Sequence, residues 1–172
     1  MRKLILLSAL SLFLFACSSD DDAPAVDPLL GTWRMTSYEV ENEYDFNGDG
    51  TASREIISES NCYQNETILI NEGGTATVFT NSFLTVVANL VPGTTDEFTY
   101  TLDCENDSDI FTLLWSKNGS TLTFIDDDQS NITATMISEN QFSFTVSGGF
   151  EIYSGGFNVV SEEDVTITYT KQ

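Results

Sequence analysis

The string whose spacing most suggests chemistry is DFNGDGT, residues 45–51. Asp45, Asn47 and Asp49 stand at alternate positions, and Gly50 follows them. A Ca²⁺ loop takes its first three ligands from such positions and turns on a glycine. The twelfth position is Ile56 instead of a glutamate, so the remaining oxygens would come from the Thr51 carbonyl and from Glu55 or Glu59. The same string also reads as an Asx-rich turn with no ion in it. Ca²⁺ is thus the candidate cofactor. Two further acidic clusters, Asp103/Glu105/Asp107/Asp109 and Asp126–Asp128, repel internally unless water or a cation intervenes, and we read them as solvated loops.

Cysteine and carboxylate chemistry come next. Beyond Cys17 the chain has only Cys62 and Cys104, and it has no histidine. In an exported protein these two most simply form a disulfide, worth ~4 kcal/mol in the chain-entropy account for a loop this long; two free thiols are the alternative. The lack of histidine removes the commonest general base and the commonest transition-metal ligand. No Ser-His-Asp or Cys-His set can be assembled, and no carboxylate pair is singled out for acid–base work. The expectation is a protein that is not an enzyme.

The elements that must position these residues are strands. Apolar residues make up 41% of the chain and charged ones 19%, which is globular material. Apolar and polar side chains alternate in EFTYTL, NITATM, QFSFTV and DVTITYT, the period of a strand with one buried and one wet face. The clearest hairpin surrounds Asn118-Gly119, the preferred pair for a two-residue turn; that register sets Trp115 opposite Leu122 and Leu113 opposite Phe124. Further turns are expected at Glu72-Gly73-Gly74 and at Ser138–Asn140. Residues 82–91 read as strand or short helix. Eight to ten short strands with close turns mean a sandwich or a barrel.

The charge balance, 27 acidic against 6 basic residues, excludes nucleic acid, because phosphate contacts need clustered Lys and Arg. At the N-terminus Arg2 and Lys3 precede an apolar run from Leu4 to Ala16 that is too short for a bilayer core of ~30 Å and suits a secretory signal. Leu-Phe-Ala-Cys at 14–17 resembles a bacterial lipobox. That resemblance implies cleavage before Cys17, lipid on Cys17 and attachment to a membrane, with residues 1–16 discarded and 17–28 left as an acidic tether. The acidic residues after Cys17 resemble the surface-export signal of Bacteroidetes lipoproteins, which implies an outer-membrane, cell-surface address. Four basic residues then face 27 acidic ones, a net charge of −23.

Gly31-Thr32-Trp33, directly after the tether, resembles the Gly-x-Trp start of lipocalin-fold proteins. The layout of lipid cysteine, acidic tether, Gly-x-Trp, NGDGT loop, CYQNETI strand start and closing strand is similar to that of lipocalin-like Bacteroidetes lipoproteins. The resemblance implies an all-β fold: a single antiparallel up-and-down barrel over residues 29–172, with Trp33 closing its base. Lipocalins usually pack a late arginine on that tryptophan, and here Lys171 stands in the available place. Trp115, Phe142, Phe144 and Tyr169 are the expected interior residues around a small apolar or amphipathic ligand. The second reading is a filled barrel that acts through its surface.

Overall fold

The computed structural model describes residues 27–172. Cys17, the signal segment and most of the tether lie outside the described residues. Where the period-two pattern runs, the chain is strand: β1 (Gly31–Tyr44), β2 (Ser53–Glu55), then a short helix α1 (Ile56–Ser60), β3 (Thr67–Ile70), β4 (Thr75–Thr80), β5 (Phe83–Leu90), β6 (Phe98–Glu105), β7 (Asp109–Asn118), β8 (Thr121–Ile125), β9 (Asn131–Ser138), β10 (Gln141–Ser154) and β11 (Val159–Lys171). Of residues 82–91, Phe83–Leu90 form a strand, not a helix. The strand that starts at QFSFTV continues past Gly148-Gly149, so β10 runs unbroken to Ser154. The pair β2–α1 is too short to carry a periodic signal.

Eight strands, in the order β1-β3-β4-β7-β8-β9-β10-β11, pair antiparallel with their neighbours, and β11 returns to β1. The sheet closes on itself, so these strands form a barrel without an open edge. The β5–β6 hairpin is inserted between β4 and β7 and lies outside this ring. It docks on the far half of β10, where Val86, Val87 and Ala88 run parallel to Ile152, Tyr153 and Ser154. One parallel contact therefore interrupts the up-and-down order.

Two bulges shape the barrel. Opposite β11, the register of β1 shifts between Met35 and Ser37, leaving Thr36 as the extra residue. An extra residue flips the alternation, so Trp33 and Met35 point inward below it and Tyr38 and Val40 above it; all four are buried. In β10 the register breaks between Val146 and Phe150. Gly148 has φ +62°, and a side chain on Gly149 would meet Val165 Cγ1 at 2.5 Å. The Asp164 carboxylate accepts from Gly148 N (3.0 Å) and Ser147 Oγ (2.8 Å). The bend carries the far half of β10 off the ring and toward β5.

The Asn118–Gly119 hairpin corrects one expectation. Asn118 pairs with Thr121 and Trp115 with Phe124, so Gly119-Ser120 make the turn. The slip is two residues, which keeps every side chain on its expected face.

The end of the barrel where β1 begins is filled. Trp33 is fully buried, donates Nε1–H to Leu29 O at 2.8 Å, and packs 5.0 Å from Phe142. Phe142 in turn touches Phe124 (5.8 Å) and Tyr169 (5.4 Å). The Lys171 ammonium lies 5.9 Å over the Trp33 ring and donates to Pro28 O.

Candidate functional site: an apolar barrel cavity with one carboxyl

Above that filled base the interior opens into a cavity of about 250 Å³. Its floor is Phe124 and Tyr169, and its walls include Met35, Ile68, Leu113 and Phe144. Phe111 and Ile132 also line it and remain 39% and 41% exposed, so the cavity reaches solvent on their side. Of the expected interior residues, Phe144 and Tyr169 line the cavity. Phe142 lies below it as base packing. Trp115 also stays outside: it is half-buried and donates its Nε1–H to Asn71 O at 3.2 Å. All four point to the expected side; what separates them is height along the barrel, which a period of two does not encode.

Glu66 supplies the one carboxyl of the lining. It stands just before β3, is 3% exposed, and faces the cavity at its upper rim. Its Oε1 accepts from Ser82 Oγ and its Oε2 from Asn81 N, both at 2.6 Å. A carboxylate has about four acceptor positions, so lone pairs remain for a ligand's donor. The other polar groups are the Thr80 and Ser82 hydroxyls and the phenols of Tyr38, Tyr63 and Tyr169. Burial pushes the Tyr169 phenol up, and the nearby Glu66 adds to this. Burial likewise raises Tyr38, with stacked Tyr63 contributing. Both phenols therefore stay neutral, and hydrogen bonding is all they can offer a ligand. Glu66 and Tyr38 escaped the sequence reading: Glu66 precedes an apolar strand, and Tyr38 sits inside only because of the Thr36 bulge.

The calcium candidates are placed at the end of β1. Asp45 Oδ2 accepts from Gly50 N (2.9 Å), Asn47 Oδ1 from Asp49 N (2.8 Å) and Asp49 Oδ1 from Thr51 N (2.8 Å). Glu59, buried in α1, accepts from Phe46 N (3.1 Å) and Asn47 N (3.3 Å). Glu55 turns away and binds Ser37 Oγ and Tyr38 N instead. Among the described residues Asp45 Oδ1 is the one buried side-chain oxygen or nitrogen without a partner. That oxygen is free to take a donor or a cation, and Glu59 is the one of the two candidate glutamates that returns to the loop. Three acidic ligand atoms come within 4.8 Å of one another only at Asp126–Asp128 among the described residues. There Asp128 is held below the usual carboxylate range by bonds from the Ser130 side chain and backbone.

Cys62 and Cys104 form a disulfide, S–S 2.06 Å, tying the loop after α1 to β6. Fold and site together define a closed eight-stranded antiparallel barrel with a small apolar chamber. No family model matches the chain, and no curated protein or solved structure matches it either.

Proposed function

We propose that the chain is a lipid-anchored, cell-surface lipoprotein of the lipocalin-like kind whose barrel holds one small apolar or amphipathic ligand. The observation that carries this reading is the cavity: about 250 Å³ of largely apolar space with a single buried carboxyl at its rim. Its size lies just below the ~300–1,000 Å³ of typical ligand pockets, which favours a short chain or one ring system. Glu66 favours a ligand with an amine or hydroxyl at one end. The described chain starts at the filled base, so a tether joined there would leave the mouth facing away from the membrane. The filled lower half favours the second reading, in which the barrel is a rigid support and the surface does the work.

Native mass spectrometry of protein taken from its source membrane separates the two. A small co-purifying adduct is expected, and a bare mass under gentle conditions overturns the proposal. With an apolar fluorescent probe, Val78→Phe should abolish binding while the fold persists. Glu66→Gln should weaken a probe with an amine head and leave a neutral one unaffected.

A further inference from the structure

The closed ring hides the edges of its eight strands, but the inserted hairpin brings one edge back. β6 ends the strand order and pairs only with β5, through eight consecutive residue pairs without a bulge. Val91 N donates to Glu97 O at 2.9 Å, which makes that pair a bonded one. Bonded and non-bonded pairs alternate along an antiparallel ladder. Thr99, Thr101 and Asp103 therefore spend their backbone groups on β5, while Phe98, Tyr100, Leu102 and Cys104 aim theirs off the sheet. Among the described residues nothing accepts from or donates to those outward groups.

Proteins usually blunt such an edge with a charge, a proline, a bulge or a short strand. Residues 98–102, Phe-Thr-Tyr-Thr-Leu, have none of these, and Phe98 is half-exposed. The charges stand at the two ends instead: Asp96 and Glu97 before the strand, then Asp103, Glu105, Asp107 and Asp109 at its far end. The uncharged gap from Glu97 to Asp103 spans about 20 Å at a strand's rise per residue. A second copy of the mature chain would bring another net charge of −23 (4 basic against 27 acidic residues) against it, and like charge opposes that pairing. The complement is a strand with the opposite ends.

We propose that β6 is a docking edge that takes an extended segment of a partner protein by strand addition. The segment has an uncharged β-branched or aromatic middle and Lys or Arg at both ends. Backbone bonds supply the affinity and the flanking charges the selection.

The test uses the full mature protein and a synthetic peptide of alternating threonine and valine flanked by paired lysines. The peptide should bind, more weakly as salt is added, and should slow amide exchange at Phe98, Tyr100 and Leu102. A peptide with glutamates in place of the lysines should not bind. Leu102→Pro removes one outward N–H and leaves the β5 ladder intact, so it should weaken the peptide by about tenfold while Leu102→Ala does not. Asp96→Lys with Glu97→Lys reverses one of the two acidic ends and should weaken the lysine peptide. Three outcomes overturn the proposal: equal affinity for Leu102→Pro and wild type, protection located away from β6, or edge amides already protected in a concentration-dependent dimer.

Discussion

Glu163 is a carboxylate buried on β11, 4% exposed, where the barrel meets the inserted hairpin. Its Oε2 accepts from Glu41 N (3.0 Å) and Asn42 N (2.9 Å); its Oε1 accepts from Asn42 Nδ2 (3.0 Å) and from the Tyr44 hydroxyl. Burial alone would raise its titration point. The bonds from Asn42, Tyr44 and Glu41 outweigh it and hold the carboxyl below the usual range. In Glu163→Gln one oxygen can still serve the two backbone donors. The new amide then faces Asn42 Nδ2, donor against donor, and the remaining bonds lose their charge assistance. Bonds to a charged group are worth ~1.5–3 kcal/mol, so the net loss is about 3 kcal/mol, or about 6–12 °C in melting temperature for a domain of this size. The pH dependence distinguishes this from generic damage. A depressed carboxyl stabilises the fold above its unfolded titration point, and that contribution is lost as the pH falls through the lower folded value. The gap between wild type and Glu163→Gln should therefore be full near pH 7 and close only on acidification below the usual carboxylate range. Urea unfolding across that range measures it directly. A gap that stays constant with pH would refute the reasoning, because the charged form would then contribute nothing beyond shape.

Four further outcomes follow from the same structure. Cys62→Ser with Cys104→Ser opens a loop of sequence separation 42 and should cost about 4 kcal/mol, read as a melting-point drop of about 8–16 °C with probe binding in the barrel retained. Gly149→Ala sets a methyl 2.5 Å from Val165 Cγ1 and 3.0 Å from Val146 Cβ, and denaturant titration should show a loss of about 1–3 kcal/mol. Ca²⁺ should raise the melting temperature of the wild type and leave Asp45→Ala unmoved; an absent shift in the wild type removes calcium from the account. Cys17→Ser should release the protein from the membrane fraction into the soluble one, and persistence in the membrane places the anchor elsewhere.

Strand positions were legible in the sequence because alternation is local and the turns carry their own chemistry. The Gly73-Gly74 turn and the strands beside it fall where glycine freedom and period two agree. Register was less legible. A slip of two residues at Gly119 preserves every face, so the hydrophobic pattern could not detect it. Depth was not legible: Phe142 and Phe144 are equivalent to the alternation, yet one packs under the cavity and the other lines it. Tyr38 needed the extra Thr36, and a bulge has no signature within β1 itself. Glu66 is buried by groups from Asn81 and Ser82, which the fold brings back to it after a full hairpin. The calcium string was visible as a set of ligands, but which of Glu55 and Glu59 returns to the loop depends on how β2 and α1 turn.

The last strand ends where the first begins. Gln172 N donates to Thr32 O at 2.9 Å, Lys171 N to Asn140 O at 3.0 Å, and the Lys171 ammonium reaches across to Pro28. A pull applied at Asp27 runs along β1, which is bonded on one side to β11 and on the other to β3. The ladder bonds lie across that direction, so the load is a shear that they resist together. Peeling them one by one would require a pull at right angles. A chain held from this end is mechanically locked at its own seam, while its open end carries none of the force.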